Sequence, residues 1–107
     1  MPDASRSSGV LTASAVIVAN PCNLKSVHIT CRANGADEYI LKIFDSEDAT
    51  LTGNTELVRF VFNGDLSANN VEADLHRVLA REGLYAQVTA PASPDAASHF
   101  AFSVEFN

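Results

Sequence analysis

The segment formed by residues 99–106 is the pattern that most restricts how this chain can fold. Every even-numbered position holds a large apolar side chain, and every odd-numbered position holds a polar or small one. Successive side chains of a β-strand point to opposite faces, so a period of two predicts a strand with one face in a core. Because three phenylalanines lie on that face, we expect this strand to be central to the core.

Shorter segments predict further strands. They cover residues 10–18, 24–32, 39–44, 57–62 and 84–90, where β-branched, aromatic and small apolar residues alternate or cluster. Turn residues separate them, at Asn20-Pro21, Asn34-Gly35, Gly53-Asn54, Asn63-Gly64 and residues 91–94. Asn-Gly favours tight turns because both residues tolerate positive φ angles. Short strands at this spacing predict an all-β fold, an antiparallel β-sandwich of the jelly-roll kind.

The chain of 107 residues has the length of one domain. We predict a single β-sandwich domain over residues 9–107. Residues 1–8 are small and polar, which predicts a flexible N-terminal arm.

Residues 70–83 carry local signals for a helix. Apolar side chains recur at helical spacing from Val71 onward, at positions i, i+4, i+7 and i+8. Asn70 suits the N-cap of such a helix and Gly83 suits its C-terminal cap. A helix here would interrupt the series of strands.

The charge balance restricts the class of partner. Seven lysines and arginines stand against 13 aspartates and glutamates, for a net charge of −6. Nucleic acids and anionic lipids are bound by clustered cations, so we predict neither nucleic acid nor membrane as a partner. The sequence also lacks the run of ~20 apolar residues that crosses a bilayer.

Two cysteines, Cys22 and Cys31, are too few for the disulfide framework typical of small secreted domains. We predict two reduced thiols made in a reducing compartment, with a Cys22–Cys31 bridge across two strand ends as the alternative. Cys31 shares an apolar face with Val27 and Ile29, so we expect it to be buried and inert. Cys22 follows Pro21 in a predicted loop, where it could be exposed.

The residues capable of chemistry form no known catalytic motif. The histidines His28, His76 and His99 include no His-x-His or His-x-x-x-His pair that would begin a metal site of the cupin type. Residues 45–48 hold three carboxylates without the ligand spacing and glycine of a calcium loop. No Gly-rich phosphate loop or nucleophile elbow occurs. We predict no catalytic, cofactor-binding or metal-binding residues, no cofactor and no enzyme activity.

The order of several short motifs resembles that of small all-β bacteriophage virion proteins. These motifs are Leu24-x-x-Val27-x-Ile29, Ile40-Leu-Lys-Ile-Phe-Asp-Ser-Glu-Asp-Ala49, Gly83-Leu84-Tyr85 and the closing strand. The resemblance covers residues 10–107, brings no catalytic residues and implies a jelly-roll-like sandwich with a strand before Gly83. A sandwich also needs a strand there to cover its sheet and shield an edge. We therefore predict a strand over residues 72–79, with one short helix within 71–82 as the alternative.

The same resemblance implies a structural role in a virus particle. We expect a capsid decoration, or cement, protein that is made in the host cytoplasm and carried in the virion. Its partners would be itself, as a homotrimer or another closed oligomer, and the major capsid protein or another virion protein. The alternative is a ligand- or carbohydrate-binding β-sandwich, such as a tail-associated receptor-binding domain, with Tyr39 and Tyr85 as candidate contacts.

Overall fold

The computed structural model describes residues 5–31, 38–63, 69–90 and 100–107, and within these ranges it contains eight β-strands and no helix. The strands are β1 Arg6–Ser7, β2 Ala15–Val18, β3 Cys22–Cys31, β4 Glu38–Asp45, β5 Thr55–Asn63, β6 Asn69–Ala80, β7 Leu84–Thr89 and β8 Phe100–Phe106. The predicted segments therefore contain strands, and their ends differ by a few residues, as is usual for strand boundaries.

Two four-stranded antiparallel sheets make up the fold. Sheet A has the order β1-β8-β3-β6, and sheet B has the order β2-β7-β4-β5. The pairs β1–β8, β2–β7, β3–β6 and β4–β5 are nested within one another, as if one long hairpin had been rolled up. This nesting is the jelly-roll arrangement, so the predicted antiparallel sandwich is confirmed.

The core lies between the two sheets. Sheet A contributes the four even-numbered apolar residues of β8, together with Leu24, Val27 and Ile29 of β3. Sheet B contributes Tyr39, Leu41 and Ile43 of β4, Phe62 of β5, and Leu84 and Ala86 of β7. The rings of Tyr39 and Phe100 stack at 5.6 Å between centroids and join the sheets at one end. The central role predicted for the last strand is therefore confirmed.

Residues 71–82 contain no helix, so the helical alternative is wrong, and the strand prediction is confirmed. β6 pairs with β3 over residues 69–74 and again over residues 78–80. Opposite Leu24 and Ser26 of β3, which are two residues apart, lie Val78 and Asp74 of β6, which are four apart. The extra residues form a β-bulge, in which His76 has a φ of 61°. Because of the bulge, the side chain of Val78 points towards the core, three residues after Leu75 instead of two. The resulting spacing of Val71, Leu75 and Val78 is the one that suggested a helix.

The same region of β3 carries an irregularity that reverses its alternation. The register of β3 shifts between Leu24 and Ser26 against both of its neighbours, β6 and β8. Before the shift Leu24 points into the core, and after it Val27 does so. Ser26 and His28 consequently point to the outer face of sheet A, opposite the apolar face predicted for Val27, Ile29 and Cys31.

The two cysteines lie at opposite ends of β3, so the alternative of a Cys22–Cys31 bridge is wrong. Nine residues of strand separate their Cα atoms by about 30 Å, far beyond the reach of a disulfide. Cys22 is only 8% exposed, so the expectation that it could be exposed is also wrong. Burial, followed by the nearby Asp45 carboxylate, raises the pKa of the Cys22 thiol and keeps it protonated.

Several sequence predictions lie outside the described residues. These are the Asn34-Gly35 turn, Gly64 of the Asn63-Gly64 turn, the turn over residues 91–94, His99, and residues 1–4 of the arm. The remainder of the arm, residues 5–8, is described, and Arg6–Ser7 pair with Phe106 and Glu105 of β8.

Candidate functional site

The outer face of sheet A carries two depressions lined by described residues. Two adjoining grooves, of ≈330 and ≈320 Å³, share His28 and Ser103. The first is also lined by Val10, Thr30, Asn70 and Glu72, and the second by Ser5, Ser7 and Glu105. We call this region, from Val10 and Asn70 across His28 to Ser5 and Glu105, the His28 groove.

The strand register explains why these side chains meet. His28 of β3 has Glu72 of β6 as its partner on one side and Ser103 of β8 on the other. Cross-strand partners point to the same face of a sheet, so these three side chains form a row. One row further along, Ser26 has Glu105 of β8 as its partner on one side. Residues far apart in sequence thus become neighbours on one face.

Polar contacts link the side chains of the two rows. The Ser26 hydroxyl donates to Oε1 of Glu105 at 2.9 Å and lies 3.5 Å from Nε2 of His28. Nδ1 of His28 lies 3.8 Å from Oε1 of Glu72. The His28 side chain is 49% exposed and that of Glu72 is 78% exposed, so both can reach a bound partner.

The Glu105 carboxylate is held in its charged form. Hydrogen bonds from the Ser26 and Ser5 hydroxyls, followed by the positive charge of Lys25, lower the pKa of Glu105 below its usual value. The lysine also donates from Nζ to the Ser5 hydroxyl at 3.2 Å. The groove therefore offers an ionised carboxylate beside several hydroxyls near neutral pH.

The order Ser26, His28 and Glu72 resembles a hydrolase triad, but the contacts suit binding better than nucleophilic attack. The Ser26 hydroxyl donates its hydrogen bond to Glu105 and not to His28. The distance of 3.5 Å from Ser26 Oγ to Nε2 of His28 is longer than a hydrogen bond between nucleophile and base, and the distance of 3.8 Å from Nδ1 of His28 to Glu72 is also too long for a hydrogen bond. β3 is paired on both sides, so its backbone N–H groups serve the sheet. An oxyanion hole would need such donors to point at the substrate.

The other residues considered from sequence do not join this groove. His76 lies in the bulge of β6 with its side chain 90% exposed, and His99 is outside the described ranges. Tyr39 is 1% exposed inside the core, so it is not available as a sugar contact. Tyr85 lies on the outer face of sheet B, beside Phe44. Within the described ranges, no group of three or more His, Cys, Asp or Glu side chains is placed to hold a metal ion.

The acidic segment 45–48 serves the turn between β6 and β7. The Asp45 carboxylate accepts backbone N–H groups of Arg81 at 3.0 Å, Glu82 at 2.8 Å and Gly83 at 3.4 Å. Partial burial raises the pKa of Asp45, but the three N–H bonds outweigh it, and the net pKa lies below its usual value. Asp45 is thus committed to a structural contact.

Gly83 completes that turn because no side chain fits there. A Cβ atom at this position would collide with the backbone oxygen of Val18 and lie 3.0 Å from that of Ser46. Ser46 N in turn donates to the Gly83 oxygen at 3.2 Å. The Gly-Leu-Tyr motif therefore marks a tight corner where the chain passes from β6 to β7.

The sequence predicted the apolar face of Val27, Ile29 and Cys31, which leaves His28 on the opposite face, but it did not predict the neighbours of His28. The exposed faces of residues 26–30 and 99–106 were visible as polar alternation. The register that joins them to Glu72 depends on two bulges, and alternation alone carries no signal for register across a bulge.

Comparison with known proteins yields no relative for this chain. No model of a protein family matches the sequence, no curated protein matches it, and no solved structure matches it. In the part of the chain that the structure describes, no helix is long and apolar enough to cross a membrane.

Proposed function

We propose that this chain is a structural component of a phage particle, a capsid decoration or cement protein that docks on the head surface and stabilises it. The observation that supports this proposal is the nested jelly roll of eight described strands. It is the fold implied by the resemblance to small phage virion proteins, and the motifs of that resemblance lie in or directly beside its strands β3, β4, β7 and β8.

The His28 groove suits a docking role. Its exposed imidazole and carboxylates, on His28, Glu72 and Glu105, can exchange hydrogen bonds with a polar loop of another protein. Contacts of this kind are individually weak, but many copies on one shell would act together through multivalency. In this proposal the chain needs no catalytic group.

The proposed partners are a second copy of the chain and the major capsid protein, or another virion protein. The chain would be made in the host cytoplasm and would end in the virion. Association as a homotrimer or another closed oligomer would match the symmetric environments on a shell. The net charge of −6 favours a partner surface with basic residues.

Sedimentation with particles tests the proposal. Phage particles purified on a density gradient should carry the chain in many copies, and added chain should rebind to particles from which it has been removed. We expect Glu72→Lys and His28→Ala to weaken rebinding, because both change exposed groups of the groove. Lys42→Glu is the matched control, since Lys42 lies on the outer face of sheet B. Consistent absence of the chain from every particle fraction would refute the proposal.

A ligand- or carbohydrate-binding module is the second candidate, and the His28 groove is the observation that favours it. The groove has the volume of a small binding site and is lined by hydroxyl, amide and carboxylate groups that can bond sugar hydroxyls. Neither tyrosine contributes, since Tyr39 is buried and Tyr85 lies on the other sheet. Binding on a glycan array that is lost in Glu72→Lys would favour this candidate, and an array without hits would count against it.

A further inference from the structure

Residues 5–11, which we call the edge segment, lie along the outer edge of β8 and close one side of sheet A. Leu11 and Phe102 exchange two backbone hydrogen bonds, at 2.7 and 2.9 Å, and Ser8 N donates to the Val104 oxygen at 2.9 Å. Val104 N donates to the Ser8 hydroxyl at 2.9 Å. The edge segment is thus attached to β8 mainly through main-chain groups.

The edge segment buries little of its own surface. Arg6 and Ser7 are exposed, and the side chain of Val10 is the most exposed large hydrophobic group described, at 77%. Leu11 alone among these residues packs against the core. The contacts of Ser5 with Lys25 and Glu105 are exposed polar bonds, which water can replace at little cost. Detaching the edge segment would therefore cost few apolar contacts.

The residues that follow the edge segment would allow it to detach without disturbing the rest of the fold. Residues 12–14 are exposed and cross from the edge of sheet A to β2 in sheet B. The Ser14 hydroxyl accepts the N–H of Val88 at 2.8 Å, which anchors the chain just before β2 begins. Residues 12–13 can therefore act as a hinge, and no other strand has to move when the edge segment departs.

The vacated edge of β8 would then need a new partner. The backbone groups of Phe102 and Val104 would be unpaired, and unpaired strand edges recruit other strands. The edge segment has features that fit this edge. The Ser8 hydroxyl accepts the Val104 N–H in place of a backbone oxygen, and Gly9 adopts a φ of 74°, which glycine tolerates better than other residues. The same segment from a second copy makes identical bonds.

We propose that residues 5–11 are exchanged between copies of this chain, each edge segment pairing with β8 of a neighbour. Exchange of an identical element is a low-cost route to association because the native contacts are kept. Reciprocal exchange gives a dimer, and donation around a ring gives a closed trimer or larger ring. The inference concerns the chain alone and does not depend on the proposed role in a phage particle.

Disulfide trapping tests the exchange. Ser7 and Glu105 are direct cross-strand partners, so a cysteine at each can bond only where an edge segment lies on β8. Chains with Ser7→Cys are mixed with chains with Glu105→Cys, unfolded together, refolded and oxidised. We expect a covalent heterodimer, identified by mass, in roughly tenfold excess over the background because the exchanged segment raises the local concentration.

Two controls make the result decisive. Ser7→Cys mixed with Thr52→Cys measures background collisions, since Thr52 is exposed in the connection between β4 and β5, two strands of sheet B that do not pair with β8. The double variant Ser7→Cys/Glu105→Cys on one chain reports whether the geometry permits the bond. Heterodimer at the background level, with the bond formed within the double variant, would overturn the proposal. So would a wild-type chain that light scattering finds at 11.4 kDa at every concentration.

Discussion

At the scale of single residues, Asp45 shows how one side chain can hold two distant parts of the chain together. It ends β4, and its carboxylate accepts three N–H groups of the turn between β6 and β7. The sequence identified residues 45–48 only as a cluster of three carboxylates without the spacing of a calcium loop. The partner turn is more than 30 residues away, so the contact follows from the fold and could not be read from local pattern.

We expect Asp45→Asn to lower the free energy of unfolding by about 2 kcal/mol at pH 7, because the amide replaces one acceptor oxygen with a donor that faces N–H groups. Since the folded-state pKa of Asp45 lies below its usual value, the carboxylate stabilises the fold above about pH 4, and this contribution is lost as the pH falls through the folded-state pKa. The difference between wild type and variant should therefore shrink in acid.

Urea denaturation between pH 7 and pH 3 measures this difference. Glu47→Gln is the matched control. Glu47 is exposed in the connection between β4 and β5, two residues after Asp45, and its replacement should leave the free energy of unfolding nearly unchanged. Equal stability of Asp45→Asn and wild type at pH 7 would show that the three N–H bonds contribute nothing.

At the scale of elements, the sequence predicted strands where alternation is unbroken and was ambiguous where a bulge interrupts it. β8 alternates without a fault, and its inward residues were all identified. In β6, Val71 and Leu75 face the core before the bulge and Val78 after it, while Leu79 is 58% exposed. The step from Leu75 to Val78 is three residues instead of two, and this one extra residue made a period of two look like a period of 3.6. Local propensity could not separate the two, because pairing with β3 decides the conformation.

His76→Gly distinguishes a bulged strand from a helix. His76 has a positive φ, which costs a residue with a side chain about 1 kcal/mol and costs glycine nothing, so this variant should be more stable by up to that amount. Ala73→Gly in the same strand, without a positive φ, should destabilise by about 0.5–1 kcal/mol.

Thermal and urea unfolding of the two variants measure these opposite signs. Asp74 is unchanged in both variants, and its carboxylate can still accept the backbone N–H of residue 76, as it does from His76 at 2.9 Å. A loss of about 1 kcal/mol in both variants would instead be the signature of a helix.

At the scale of the whole molecule, the two sheets share one core and should unfold together. Phe100 of sheet A contacts Tyr39 and Phe62 of sheet B, at 5.6 and 6.3 Å between ring centroids. The sequence predicted that these strands have buried faces and predicted the sandwich as a fold class. It could not predict which aromatic rings meet across the sheets, because that depends on how the sheets are aligned.

Phe100→Ala should lower the free energy of unfolding by about 3–5 kcal/mol, since it removes a buried ring and leaves a cavity between the sheets. Unfolding should remain a single transition, with far-UV and near-UV circular dichroism changing at the same urea concentration. Phe44→Ala, on the half-buried outer face of sheet B, is the control, with an expected loss of about 1 kcal/mol. Two separate transitions would mean that the sheets are independent.

The position of β8 has a consequence for how the chain folds as it is synthesised. β8 is the last described strand, yet it lies inside sheet A between β1 and β3. A ribosome releases the N-terminal part of a chain first, so β1 and β3 emerge well before the strand that must join them. β6 and the strands of sheet B also emerge before β8, so during that interval only the edge of β3 that faces β8, and β1 itself, have no native partner. Chaperone binding or slow translation at this stage would most affect the yield of folded protein.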